Sequence, residues 1–269
     1  MPAPNLSALL PQVSAIAKQT GAWIRSQHGQ IQSHDIEVKS LNSFVSFVDQ
    51  TAERQLVDGL HQLLPDAGFI VEESTIDTEH KPWMWIIDPL DGTTNFLHGL
   101  PMYAISIGLM HHNTMQLGVV YEISMDELFT ASLGGGSALN GQSISISNRS
   151  GLKNGLIATG FPYYDFGQMP QYLALLGDFF QTTRGLRRLG SAATDLAYVA
   201  AGRFDGFFEY GLSPWDVAAG ALLVTEAGGT VTDFFGEDNY IFGKTILASS
   251  PGIHLEFREK VIHRFKYNH

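Results

Sequence analysis

Cysteine is absent from this 269-residue chain, which excludes disulfides, thiolate zinc sites and a cysteine nucleophile. Basic residues are scarce. The 16 Lys and Arg stand against 27 Asp and Glu, and a net charge of −11 argues against a general nucleic-acid surface. The same imbalance repels a phosphorylated ligand, so a phosphate site here needs local metal ions or helix N-termini. No apolar run approaches the ~20 residues that span a bilayer. The opening Met1-Pro2-Ala3-Pro4-Asn5 lacks the basic-then-apolar pattern of a secretory signal, so a cytoplasmic protein without a membrane segment is expected. Internal repeats and low-complexity linkers are also missing. What remains is a substantial core: 44% of residues are hydrophobic and 11% aromatic, enough for one large domain or two joined halves.

Apolar spacing from Leu6 to Ile24 predicts a helix ending by Gly29, with Pro11 near its first turn. A second helix is expected over 48–64, closed by Pro65. Short strands follow at 68–71, 83–87, 103–110, 117–121 and 127–131, with a hairpin turn near His112-Asn113. Asn140-Gly141 marks a tight turn before the alternating Ile144-Ser145-Ile146-Ser147. The polar stretch 148–154 is the candidate boundary between an N-terminal half (1–150) and a C-terminal half (151–269) of one compact unit. Beyond it, strands at 156–159, 186–189, 204–209, 230–233 and 245–248 interleave with helices at 168–181, 191–201 and 214–227 and a C-terminal helix. This alternation, broken by hairpins, predicts layered α/β architecture rather than a barrel.

Carboxylates concentrate in three segments: Glu72-Glu73, Asp88-Pro89-Leu90-Asp91-Gly92-Thr93-Thr94, and Trp215-Asp216. The middle one follows the apolar run Trp83–Ile87. Pro89 removes a backbone donor, so the strand is expected to stop beside Asp88, and Gly92 permits the turn that follows. Both Asp carboxylates and the Leu90 carbonyl can then face one point. If the three segments converge, that charge requires divalent cations; Mg²⁺ takes oxygen ligands, and such a site suits hydrolysis of a phosphate ester. Simpler readings stand beside this one. An Asp-rich turn can cap its own N–H groups, and Glu72-Glu73 alone reads as two solvated acids. Ser213-Pro214-Trp215-Asp216 and Ser46-Phe47-Val48-Asp49 both fit a Ser-x-x-Asp helix cap, which spacing alone favours for Asp216 and Asp49.

Together these motifs resemble the inositol monophosphatase family of Mg²⁺-dependent, lithium-sensitive phosphatases. The resemblance rests on Glu72-Glu73-Ser74, on residues 85–96, on Trp215–Gly220 with Glu226–Gly229, and on Gly190-Ser191-Ala192-Ala193; it covers nearly the whole chain. Through Arg187-Arg188-Leu189-Gly190-Ser191, it is closest to bacterial inositol-1-monophosphatases. It implies an α/β (α+β) fold, a layered αβαβα sandwich shared with fructose-1,6-bisphosphatase, and a cytoplasmic homodimer. By the same resemblance, two or three Mg²⁺ ions are held: the first by Glu72, Asp88 and the Leu90 carbonyl, the second by Asp88, Asp91 and Asp216, a weaker one through Glu73 and water. Thr93 and Asp49 match the pair that activates the attacking water, with no covalent intermediate. Asp91, Gly92, Thr93 and Thr94 would meet the phosphate, and Gly190, Ser191, Ala192 and Glu209 the polyol. Lys39 matches the lysine of a mobile loop. The family commonly has an acid at the position of Ser43, and Ser46 replaces its usual Thr, which bears on the weakest ion.

The resemblance makes a small phosphorylated polyol, inositol monophosphate first, the expected substrate. Relatives act on fructose 1,6-bisphosphate, adenosine 3′,5′-bisphosphate, histidinol phosphate and NADP. A haloacid-dehalogenase-type phosphatase is disfavoured because Asp88 and Asp91 are three positions apart, not two. A non-catalytic regulator that keeps the fold is a further alternative. Arg184, Arg187 and Arg188 read as a basic edge strand or dimer contact before a second-phosphate grip. Trp83 and Trp85 read as core, and His98, His111 and His112 lack zinc-ligand spacing.

Overall fold

The computed structural model describes residues 4–30, 36–40, 43–163 and 165–265, the side chains of 36–40 and 43–46 excepted. Helix α1 (Leu6–Gln27) buries the stripe Leu9, Val13, Ala17 and Ile24, and Asn5 Oδ1 accepts from Ala8 N at 3.3 Å. Pro11 does not sit in the first turn but further inside the helix, on its exposed side, where water can satisfy the carbonyl it leaves unpaired. A hairpin of β1 (Ile36–Ser40) and β2 (Ser43–Ser46), not anticipated from the sequence, leads into α2 (Phe47–Leu63).

A seven-stranded sheet follows, in the order β3-β4-β5-β6-β7-β8-β9. It is built from β3 (Gly68–Val71), β4 (Trp83–Asp91), β5 (Ala104–His111), β6 (Thr114–Glu122), β7 (Glu127–Ser132), β8 (Gly136–Leu139) and β9 (Gln142–Ile144). Only the β3–β4 pair is parallel; the others are antiparallel. The expected alternating strand after Asn140-Gly141 ends at Ile144, so Ser145-Ile146-Ser147 lie outside it. Short α3 (Thr93–Leu97) joins β4 to β5.

The second sheet has five strands in the order β11-β10-β12-β14-β13. These are β10 (Leu156–Thr159), β11 (Gly185–Arg187), β12 (Gly206–Tyr210), β13 (Thr230–Thr232) and β14 (Thr245–Ser249). Its helices are α4 (Met169–Thr182), α5 (Ala192–Ala200), α6 (Pro214–Glu226) and α7 (Pro251–Phe265).

Three apolar cores define the layering. Trp83, Trp85 and Ile87 of β4 pack with α1 and α2, whereas Met84 and Ile86 face α5 and α6. The period of two turns one continuous apolar run into a strand covered on both faces. Phe207 of β12 joins the α5–α6 core, and Phe208 turns to the outer core of α4 and α7. Helices thus lie outside both sheets and between them, giving the αβαβα order. Each large apolar side chain so enclosed contributes about 1.5–3 kcal/mol.

Two features of the middle layer aim the candidate site. Gly108 and Gly118 pair across β5 and β6, and a Cβ on Gly118 would lie 2.8 Å from the Ala219 carbonyl oxygen. Without side chains there, α6 lies directly on the sheet. Ser106 Oγ on β5 then donates to the Trp215 carbonyl at 3.0 Å, fixing the start of α6 beside β4.

Candidate active site

Strand β4 does not end at Asp88 as Pro89 suggested. Asp88 pairs with Ser106 and Asp91 with Ala104, so β4 carries one extra residue in a bulge. Proline is tolerated there because the bulge leaves its position out of the ladder. The irregularity turns both acids toward the cavity. Asp88 is 2% exposed, and its Oδ1 accepts from Leu90 N at 2.9 Å. Gly92 adopts φ 94°, a left-handed conformation that favours glycine, and starts α3 at once.

Asp216 enters from the first turn of α6. Its Oδ2 accepts from Ser213 N at 2.7 Å, so the helix-cap reading holds for this residue. It also belongs to the cluster: Asp88, Asp91 and Asp216 each present an oxygen, all within 4.8 Å of one another. Capping and clustering coexist because a carboxylate has lone pairs for both. Asp91 is held from α5, where Ser191 Oγ and Ala193 N each donate to its Oδ2 at 2.7 Å. Ser191 also caps α5, its Oγ accepting from Thr194 N at 3.2 Å.

Beside the cluster, the Thr93 hydroxyl lies 3.0 Å from both Asp49 Oδ1 and the Leu90 carbonyl. Asp49 sits in the first turn of α2 and is buried; the Ser46 side chain that would share its cap lies outside the described residues. Glu72 and Glu73 follow the end of β3. Glu72 lines the cavity, and Glu73 lies just outside its lining. Their backbone is pinned by Glu53, a fully buried acid on α2 that accepts from Glu73 N at 2.6 Å and Thr75 N at 2.8 Å. Lys39 lies in β1, and its side chain, like that of Ser43, falls outside the described residues.

The cavity measures about 220 Å³ and brings Glu72, Asp88, Leu90, Asp91, Gly92, Thr93, Thr94 and Asp216 together with Gly190, Ser191, Ala192 and Glu209. Sequence reasoning missed Tyr163 and Asp195 on its wall and misjudged Arg188. Arg184 and Arg187 are exposed at the edge strand β11, whereas Arg188 turns into the cavity. Trp85 is fully buried, and Trp83 is buried with the His111 ring stacked on it at 4.1 Å, so these aromatics are packing.

So much buried acid raises proton affinity. Burial, then the charges of Glu72, Asp91 and Asp216, pushes Asp88 well above the usual carboxylate range. Asp216 is raised for the same reasons, burial first and then Asp91 and Glu72. Burial lifts Asp91 to about 6, opposed by its bonds from Ser191 and Ala193. Like charges this close do not all ionise at neutral pH unless a cation is shared among them. The donors are all oxygen, which fits Mg²⁺ rather than a softer metal.

Comparison with known proteins identifies the family. The pattern of the inositol monophosphatase family matches residues 5–266. Nus factor SuhB of Escherichia coli (strain K12) is 42% identical over 238 residues, covering 88% of this chain and 89% of that protein. Inositol-1-monophosphatase of Mesorhizobium japonicum is 40% identical over 248 residues, 92% of this chain and 93% of the relative. The crystal structure of extragenic suppressor protein suhB from Bartonella henselae superposes with a TM-score of 0.90 at 39% identity, covering 94% and 98% of the two chains. The chain belongs to the inositol monophosphatase family, and its αβαβα sandwich is the fold of that family.

Proposed function

We propose that this protein is a Mg²⁺-dependent phosphomonoesterase that hydrolyses a small phosphorylated polyol, inositol monophosphate foremost. The observation that carries the reading is the convergence of Asp88, Asp91 and Asp216 beside the Thr93–Asp49 hydrogen bond. In this assignment Glu72, Asp88 and the Leu90 carbonyl hold one ion, Asp88, Asp91 and Asp216 a second, and Glu73 a weaker third through water. Bound divalent ions supply charge neutralisation and a lowered water pKa.

The chain's own groups do the rest. Thr93 Oγ1 accepts a proton from the attacking water as its own proton passes to Asp49; threonine alone is a weak base, and the buried carboxylate polarises it. Gly92, Thr93 and Thr94 face the phosphate. Gly190, Ser191, Ala192 and Glu209 line the side of the cavity where the polyol sits. Ser191 and Ala193 fix Asp91 against rotation, so the substrate loop and the acid cluster are one rigid unit. We assign the protein to the cytoplasm as a lithium-sensitive homodimer whose partner is a small phosphorylated substrate, with no nucleic-acid or membrane surface. Among the described residues no helix is long and apolar enough to cross a membrane.

The decisive experiment is phosphate release from inositol 1-phosphate, fructose 1,6-bisphosphate, adenosine 3′,5′-bisphosphate, histidinol phosphate and NADP, with Mg²⁺ and with added Li⁺. Mg²⁺-dependent, Li⁺-inhibited turnover of inositol 1-phosphate is expected. No Mg²⁺-dependent release from any ester overturns the reading. A regulatory role is the second reading, favoured by relatives named Nus factor SuhB. Retention of every acid in the cluster weighs against loss of chemistry, and the two roles can share one fold.

A further inference from the structure

An asparagine amide carries two protons, and Asn95 on α3 uses both across the molecule. Its Nδ2 donates at 2.8 Å to the Met102 carbonyl, seven positions on, and at 2.8 Å to the Leu189 carbonyl, 94 positions on. The first partner belongs to the segment that leads into β5, and the second opens the substrate loop Gly190-Ser191-Ala192. Asn95 is 8% exposed and is not among the described residues that line the cavity. It can act on a bound molecule only through the segments it holds.

Two glycines show how closely this junction is set. Gly190 adopts φ 97°, and a Cβ there would lie 2.9 Å from Asn95 Nδ2 and 2.5 Å from Arg188 Nη1. Gly92 opens the phosphate-facing turn, and a Cβ there would lie 2.8 Å from the Met102 carbonyl oxygen and 3.2 Å from that of Gly190. The segments that close on Gly92 are therefore the same two that Asn95 ties together. Asp91 makes a separate link to the loop through Ser191 Oγ and Ala193 N, but its carboxylate also belongs to the acid cluster. The Asn95 amide is uncharged and lies outside that cluster, so its link does not depend on bound cations.

Resting on the phosphatase reading above, we infer that Asn95 is a positioning residue: it sets the gap between the phosphate-facing turn Gly92-Thr93-Thr94 and the substrate loop, and so governs how well the alcohol part of the ester is held. Without the amide, two carbonyl oxygens lose their shared donor, and nothing then draws their segments together. Asp91 still anchors Ser191 and Ala193, so the acid cluster keeps its shape. A contact made equally before and during reaction shows its loss in KM rather than in kcat. An aryl ester makes little use of a polyol loop, so its KM is indifferent.

The test uses Asn95→Ala, Asn95→Asp and Asn95→Gln in the full chain. Asn95→Asp keeps the side chain's volume but donates to neither carbonyl, and it carries the test where Asn95→Ala fails to fold. Each variant is assayed with Mg²⁺ on inositol 1-phosphate and p-nitrophenyl phosphate, and amide hydrogen exchange is followed over residues 188–193. In Asn95→Ala and Asn95→Asp, KM for inositol 1-phosphate should rise about threefold to tenfold. KM for p-nitrophenyl phosphate and the Mg²⁺ concentration for half-activity should stay nearly unchanged, and exchange in the substrate loop should quicken. Asn95→Gln keeps both donors on a longer stem and should recover part of the loss. A lowered Tm with both KM values unchanged makes Asn95 a purely structural staple and overturns the inference, as does a KM that rises equally for both esters. If the wild-type protein hydrolyses no ester, the phosphatase reading fails, and calorimetric affinity of the Ca²⁺-loaded protein for inositol 1-phosphate takes the place of KM. Affinity lost in Asn95→Asp with quickened loop exchange then supports the positioning role, and affinity retained sinks it.

Discussion

The Thr93 hydroxyl and the Asp49 carboxylate, 44 positions apart in the chain, meet at 3.0 Å. The Leu90 carbonyl lies at the same distance from that hydroxyl, but one proton cannot serve both, and a carboxylate is the stronger acceptor. The Thr93 lone pairs are then free for a water on the cavity side. Thr93→Ala and Asp49→Asn should lower kcat about 10²–10⁴-fold, with little change in the Mg²⁺ concentration needed for half-activity. Thr93→Ser, which keeps the hydroxyl, should recover most of the loss. Steady-state phosphate release against Mg²⁺ checks this, and near-wild-type kcat in Thr93→Ala would refute the relay.

Asp91→Asn separates charge from shape. The amide oxygen can still accept from Ser191 and Ala193, which now meet Asp91 Oδ2 at 2.7 Å. Only the negative charge is lost. Turnover and Mg²⁺ affinity should both fall by more than the about 100-fold that outer-shell changes produce. The metal-free variant should melt no lower than wild type, because repulsion with Asp88 and Asp216 is relieved. Calorimetric Mg²⁺ titration and thermal melts in EDTA test the two halves independently.

The acid cluster also sets the sign of the pH response. The folded-state pKa of Asp91, about 6, lies above its ordinary value of 3.8, so the folded metal-free protein binds more protons than the unfolded chain between those limits. Stability is fully present below the ordinary value and is lost as pH rises through about 6. Asp88 and Asp216, also raised, extend the trend upward. In EDTA, Tm should therefore rise as pH is lowered from 7 to 5, whereas saturating Mg²⁺ should raise Tm at pH 7 and flatten the slope. A Tm in EDTA that falls over that interval would contradict the cluster's charge state.

Much of the fold could be read from local pattern. Trp83–Ile87 alternates between two cores, and the helices end where their apolar stripes end. The αβαβα order and the acid cluster followed from family motifs rather than from periodicity. Spacing alone read Asp216 as a cap; the fold makes it a cap and a cluster member, because α6 begins over β5. Pro89 was read as a terminator because a bulge depends on the partner strand, which local sequence does not contain. Arg188 and Arg187 are neighbours in one basic run, and only the path of the chain leaving an edge strand turns one inward. Nothing in the local sequence marks Glu53, since its partners lie 20 and 22 residues away.

That hidden acid has a measurable role. Glu53 bonds two backbone amides of the loop carrying Glu72, so it positions a cavity acid without touching the cavity itself. Glu53→Ala leaves both amides without their acceptor, at about 1–3 kcal/mol each if they stay buried. Glu53→Gln keeps the shape and one acceptor oxygen. Both should raise the Mg²⁺ concentration for half-activity, Ala more than Gln, with KM for substrate at saturating Mg²⁺ nearly unchanged. A loss of Tm in Glu53→Ala with an unaltered Mg²⁺ curve would reduce Glu53 to a purely structural residue.

Gly118 tests whether the seat of α6 governs the cluster from a distance. A methyl group there would meet the Ala219 carbonyl oxygen at 2.8 Å and its Cα at 3.2 Å, both backbone atoms that cannot rotate away. Gly118→Ala must therefore lift α6 from the sheet, an overpacking expected to cost about 1–3 kcal/mol. Because Asp216 rides on the first turn of α6, the shift should also separate it from Asp88 and Asp91. Ser106→Ala removes the hydroxyl that holds the Trp215 carbonyl and perturbs the same helix start without overpacking. Both variants should weaken Mg²⁺ binding in calorimetry, and the effects should be less than additive because they act on one displacement. Full additivity would mean that the glycine seat and the serine anchor constrain α6 separately, and the coupling argued here would be wrong.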